Sequence, residues 1–320
     1  MSGATVVVAA DGSGDFATLG AAVQAVARQP GARILLRNGV YREKIFCDAA
    51  ALTLQGESRD GVRLVWADAA RDPHPDGRLT GTFRSYTAFF TGEQIRVRSM
   101  TIENAAGPGR LRGQGIAAAV DARRAEFDDV ALLGYQDTLF TGPLPARERL
   151  PGGFLGPRQF APRLPSAQLY RRCRIAGEVD FIFGGADALF EDCTLLCRGE
   201  GGFVAAPSTA PGALGYVFHR CAVRAAGAPP GSFHLARPWR PQGRCAFLRC
   251  ALDEVIAPAG FDDWGDAANR ATARFAEYGN TGPGAAGPRA FGAALARPEA
   301  QALLRAARER CAPRPKTGAL

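Results

Sequence analysis

Apolar positions along the chain come in short bursts, and most bursts have the wrong spacing for helices. Residues 5–10 form a β-branched and apolar run that reads as a strand. Asp15 then stands where an N-cap belongs, ahead of Phe16, Leu19, Val23 and Val26 on one helical face. That pattern predicts a helix over 16–28, ended by Pro30-Gly31. A second amphipathic stretch, 298–310, carries Ala302, Leu303, Leu304 and Ala306. Between the two there is no long helical pattern.

The short runs align with one another: Met100-Thr-Ile, Val130-Ala-Leu, Cys173-Arg-Ile, Cys193-Thr-Leu, Cys221-Ala-Val and Cys250-Ala-Leu. Their approaches match too, as in Leu169-Tyr-Arg-Arg-Cys173, Leu189-Phe-Glu-Asp-Cys193 and Val217-Phe-His-Arg-Cys221. Successive units are 30, 43, 20, 28 and 29 residues apart. A strand of period two recurring every 20–30 residues or so predicts a solenoid of strands, a parallel β-helix. The aligned cysteines then stack inside as small hydrophobes, and the helix at 16–28 caps the open end.

Composition narrows this picture. Of 320 residues, 47% are hydrophobic and 22% charged, which excludes a disordered chain. The 39 glycines and 22 prolines argue against a helical bundle and become turns between coils of one domain, 1–320. Arginine supplies nearly all of the net charge of +8, since Lys44 and Lys316 are the only lysines. The basic residues are scattered, so no nucleic-acid partner is expected, while an acidic sugar polymer suits the charge. No apolar run approaches the roughly 18 residues of a membrane span, and no membrane partner is expected. With no basic, apolar leader, the chain as given reads as cytoplasmic, although a trimmed, secreted form with an added Met would look the same. The eight cysteines show no Cys-x-x-Cys pair and are expected as buried free thiols. A monomer is the working expectation.

The repeat also brings chemistry together. Val130 leads to Gly134-Tyr135-Gln136-Asp137, and Cys173 leads to Gly177-Glu178-Val179-Asp180, with Gly at offset four and Asp at offset seven in both. If the coils are neighbours, Asp137 and Asp180 stand one strand spacing apart, about 4.8 Å. Two such carboxylates cannot both ionise easily, which yields a general acid beside an ionised nucleophile. They could equally be turn-capping aspartates on a solvated face. No Gly-x-Ser-x-Gly elbow or Walker loop occurs, and with three histidines a serine triad is not expected.

With these residues in hand, the chain resembles the pectin methylesterase (pectinesterase) family. The matching segments are Asp11-Gly-Ser-Gly-Asp-Phe16, Gly39-Val-Tyr-Arg-Glu-Lys-Ile45, Gly134-Tyr-Gln-Asp-Thr-Leu-Phe140, Val179-Asp-Phe-Ile-Phe-Gly184, Leu235-Ala-Arg-Pro-Trp239 and Glu277-Tyr-Gly-Asn-Thr-Gly-Pro-Gly284. The resemblance implies an all-β, single-stranded right-handed parallel β-helix with an N-terminal capping helix and a short C-terminal helix. It implies hydrolysis of galacturonate methyl esters in pectin or oligogalacturonides, releasing methanol, with no metal or cofactor. It assigns Asp180 as nucleophile, Asp137 as acid and then base, Gln114 and Gln136 as oxyanion donors, and Arg237 as the group that orients Asp180. Trp239 matches the aromatic that contacts the sugar, and Phe83, Tyr135, Phe140, Phe183 and Trp264 are candidates for the rest of the cleft.

Three positions depart from the family pattern: Ala236 for Gly, His234 for Tyr and Gly115 for Ala. Residues 141–165 hold six prolines and begin four residues after Asp137. This loop resembles that of a bacterial subgroup lacking export signals, and it is expected to wall the cleft and favour short oligogalacturonides. A β-helix esterase or thioesterase acting on another ester, such as an acyl-CoA, and a non-catalytic carbohydrate-binding solenoid stay open as alternatives. A lyase or polygalacturonase on the same fold fits less well.

Overall fold

A computed structural model describes residues 3–312. Its strands are all in parallel register and wind into coils with three faces. The aligned runs stack as expected: Met100 pairs with Val130, Arg174 with Ala131 and Thr194, and Ala222 with Thr194 and Ala251. The fold is a right-handed parallel β-helix, consistent with the repeat.

Period two divides each strand between inside and outside. Inside, Phe127, Tyr170, Phe190, Phe218 and Phe247 occupy one register line, each fully buried. Their rings stack face to face with centroids 5.2, 4.7, 4.5 and 4.5 Å apart. That spacing is the strand spacing itself, so each coil contributes one rung. Beside this ladder run Cys173, Cys193, Cys221 and Cys250, whose thiols donate to backbone carbonyls of the strand or its neighbour. All eight cysteines are free and buried.

The corner before each of the six aligned runs is built alike. Ser99, Asp129, Arg172, Asp192, Arg220 and Arg249 all have φ between 49° and 56°. The amides of Arg172, Asp192, Arg220 and Arg249 each donate to a carbonyl of the next coil, at 2.7–3.1 Å. The turn is therefore held from outside the residue that makes it.

The N-terminal helix spans Leu19–Val26 and buries Leu19, Ala22, Val23 and Val26 over the open end. Its start differs from the sequence expectation. Thr18, not Asp15, is the N-cap, and the Glu43 carboxylate accepts from the amides of Leu19 and Gly20 at 2.9 and 2.8 Å. Asp15 instead accepts from Val7 N–H at 2.8 Å, and Phe16 bridges to Val8. The C-terminal helix, Arg297–Cys311, lays Ala300, Ala307 and Cys311 against Leu189, Val217 and Ala246 on the outside of one face. Among the described residues no helix is long and apolar enough to cross a membrane. The densest basic stretch of the chain, 310–316, lies partly outside the described residues, Arg314 and Lys316 among them.

Candidate active site

On one outer face the residues facing away from the core are apolar as well. Phe89, Ala119, Phe140, Phe183 and Ala206 share a register line and form a cluster separate from the interior. Phe83 packs on this row, 4.9 Å from Phe140 and 6.2 Å from Phe183. This is the floor of a cleft of about 350 Å³.

Asp137 and Asp180 stand at its edge on adjacent coils. Leu139 pairs with Ile182, and the Asp137 amide donates to Val179 O at 3.0 Å. Both aspartates are buried, and both have left-handed backbones, with φ of 64° and 52°. The glycine they share at offset four is dictated by close approach. A Cβ on Gly177 would lie 2.2 Å from Phe181 Cβ, and one on Gly134 2.6 Å from Thr138 Oγ1.

Arg237 grips Asp180 with a bidentate fork, Nε to Oδ1 and Nη2 to Oδ2, both 2.7 Å. Its guanidinium is sandwiched between Phe203 at 3.8 Å and Trp264 at 3.7 Å. Such a plane, stacked on both faces, can turn only within itself, so the carboxylate it holds is fixed in orientation. Burial pushes the Asp180 carboxyl up from its ordinary value, and Arg237 pulls it back. Asp137 is pushed well above its ordinary value, first by burial and then by the Asp180 charge. No salt-bridge partner lies within 4 Å of Asp137 among the described residues. Both carboxyls are raised, Asp137 the further, because only Asp180 has a cation against it.

Gln114, Gln136, Phe83, Phe183, Trp239 and Trp264 line the same cleft as the aspartates and Arg237. Two expected members do not reach it. Phe140 is fully buried under Phe83 and Phe183, so it supports the floor and cannot touch a ligand. Tyr135 lies outside the lining, with the Arg198 guanidinium 5.7 Å over its ring. Sequence reasoning missed Arg149, Leu150, Gly153, Phe154 and Arg240, which also line the cleft. All but Arg240 come from the proline-rich loop, whose place next to Asp137 was the available signal. The loop's two ends are tied to one coil: Gly142 N–H donates to Val120 O, and Ser166 Oγ donates to Ala122 O.

The sequence model of the pectinesterase family matches residues 5–144 and 164–290. The chain belongs to the pectinesterase family. It is 33% identical over 289 residues to Pectinesterase 31 of Arabidopsis thaliana, covering 87% of this chain and 83% of that protein. It is 32% identical to Pectinesterase 2 of Citrus sinensis, of whose length it spans 52%. Among solved structures it is similar to pectin methylesterase PemA from Erwinia chrysanthemi, with a TM-score of 0.75, 29% identity and coverage of 92% and 94% of the two chains. A pectin methylesterase in complex with hexasaccharide VII gives a TM-score of 0.76 at 28% identity, with the same coverage. The chain is thus a pectinesterase, a carboxylic ester hydrolase of pectin. The narrower likeness to a bacterial subgroup without export signals is not borne out, as both relatives named from curated sequences are plant pectinesterases.

Pectinesterase departures become legible in this setting. A Cβ at Gly115 would lie 2.8 Å from Asn104 Oδ1. Asn104 is buried and its amide nitrogen donates to Asp68 O, Ser85 O and Ile116 O, so it cannot yield. His234 stacks on Phe203 at 5.5 Å, extending the pile that carries Arg237. Burial lowers its pKa, which favours a neutral flat ring there. Residues 145–163, which supply this wall of the cleft, lie outside the family match.

Proposed function

We propose that Asp180 is the nucleophile of a two-step ester hydrolysis on methylated galacturonate units. Its carboxylate oxygen attacks the ester carbonyl, and the oxyanion is met by the side-chain amides of Gln114 and Gln136. Collapse breaks the bond to methoxide, which leaves as methanol with the proton of Asp137. The resulting anhydride at Asp180 is cleaved by water that the Asp137 carboxylate deprotonates. That step restores the Asp137 acid and the Asp180 carboxylate, and leaves the galacturonic acid, which ionises to galacturonate by releasing its proton to solvent.

One observation carries this assignment. The two buried carboxyls sit one coil apart, and only Asp180 is gripped by a cation. Trp239 and Phe183, edge to face at 5.6 Å, offer an aromatic surface for a sugar ring. Asp180→Ala should abolish methanol release from methylated oligogalacturonides. Release near the wild-type rate would exclude Asp180 as nucleophile. Trp239 on the cleft wall favours a sugar ester over an acyl-CoA, and a panel of both substrates checks this.

We also propose that the proline-rich loop favours short substrates, because Leu150 and Phe154 narrow the cleft. Equal turnover of long pectin and methylated trimers would overturn that preference.

A further inference from the structure

Two lines of the solenoid and one side of the C-terminal helix enclose a second cavity, of about 420 Å³, that shares no lining residue with the cleft. Glu191, His219, Leu248 and Tyr278 follow one another along one register line. Arg220 and Arg249 hold the corner line beside it. From the helix come Ala300, Gln301, Leu304, Arg305 and Arg308, at the spacing of one helical face. That helix lies beyond the family match, which ends at 290.

Only part of the charge around this cavity is neutralised. Arg220 grips Asp192 with a fork at 2.8 and 2.7 Å. His219 Nδ1 and Arg308 Nη2 meet Glu191 Oε1 at 3.2 and 2.8 Å. These contacts with His219 and Arg308 hold the Glu191 carboxyl down at about 2, so Nδ1 faces an anion and carries the ring hydrogen. The His219 ring is buried and lines the cavity, and its Nε2 makes no hydrogen bond among the described residues. Arg249 and Arg305 have no carboxylate within 4 Å among the described residues, and Arg249 lies 5.9 Å over the Tyr278 ring. Glu277, beside Tyr278, is taken by Arg289 and Asn280. A concave site with apolar walls and a few converging polar groups is the usual form of a small-molecule site. Two guanidinium groups without an anion suit an oxyanion, and an imidazole nitrogen with a vacant lone pair suits a hydroxyl.

We propose that this cavity is a second, non-catalytic site for a cyclic hydroxy acid of the sugar-acid class. Its carboxylate meets Arg249 and Arg305, a hydroxyl donates to His219 Nε2, and its ring lies against Tyr278 and Leu304. The inference does not depend on which residue is the nucleophile, because the two sites lie on different strands of the coils.

The test is an NMR titration of the whole chain that follows the imidazole resonances of its three histidines. Galacturonate, galactose, benzoate and inorganic phosphate serve as probes, and loss of a signal in His219→Asn assigns His219. Galacturonate should shift the His219 resonance and bind about tenfold or more tighter than uncharged galactose, the scale of one charge-assisted hydrogen bond. Benzoate, which lacks hydroxyls, should bind about fivefold weaker than galacturonate. Phosphate should also bind more weakly, since it buries no ring. Arg249→Gln and Arg305→Gln should each weaken galacturonate by about tenfold. Both residues are exposed, and circular dichroism checks that the variants fold. Trp239→Ala, in the cleft, should leave the His219 shift and its affinity unchanged. Methanol release by the two arginine variants should match the wild type, and its loss would overturn the separation of the sites. No shift at His219, or equal galacturonate binding in both arginine variants, would overturn the proposal. Galactose or phosphate binding as tightly as galacturonate would reduce the cavity to a surface sugar or adventitious ion contact, and benzoate doing so would overturn the role of the hydroxyl.

Discussion

Two rows of left-handed residues run along this solenoid and serve opposite ends. One row, Ser99 through Arg249, turns the chain at the corner before each core rung. The other is short, Asp137 and Asp180, and edges the cleft. Their backbone angles are nearly the same, and in both rows an amide donates across to the next coil. The corner row accepts Ser, Asp or Arg, because those side chains point outward and pair in solvent, as Arg220 does with Asp192. The cleft pair is buried, so the side chains there set the chemistry. An unusual backbone angle is thus a property of the coil, and burial of the carboxyl is what distinguishes the cleft pair.

Exchanging the same atoms in the two rows gives the largest contrast. Asp180→Asn should lower methanol release by about 10⁴-fold or more, roughly 5 kcal/mol of barrier, while Asp192→Asn should leave it within about twofold. A comparable loss in both would mean that the turn, not the carboxylate, matters. Phe190→Ala removes one rung of the interior ladder and should cost about 3–5 kcal/mol in denaturant unfolding, with kcat unchanged while folded. A drop in kcat at low temperature would tie the core to the cleft.

Asp137 separates the rows by pH. Its folded pKa is raised, so its contribution to stability is full below its ordinary value of 3.8 and is lost as pH rises through the folded value. Asp137→Asn should therefore melt higher than wild type at neutral pH, converge with it in acid, and be inactive. Parallel melting curves across pH would contradict that burial. The smallest effect belongs to the corner row. Arg249→Gly should stabilise by about 0.5–1 kcal/mol, the left-handed penalty less the greater freedom of unfolded glycine. Destabilisation would show that Arg249 contributes more through its contact with Tyr278, 5.9 Å away, than it costs.

Strand periodicity and the aligned cysteines were enough to find the solenoid, its register and the meeting of Asp137 with Asp180. These depend on neighbours in a repeat, which a sequence displays. Three kinds of feature were hidden. Alternation puts Phe140 outside the core, but Phe83, from a distant turn, covers it. Asp15 has the chemistry of a cap, yet Val7 N–H takes its carboxylate first. Arg149 and Phe154 lie in a loop without period, so their place depends on contacts such as Arg158 with Asp121 that no spacing rule encodes.

The loop's two roots stand two residues apart on one coil, at Val120 and Ala122. What lies between them can therefore lengthen, shorten or be exchanged without shifting a single rung below. Closing such an excursion costs only about 0.6 kcal/mol more for each doubling of its length. In heritable terms the cleft wall is a graft on a fixed rootstock. A lineage can try new substrates there by insertion and deletion while Asp137 and Asp180 stay where the coils put them.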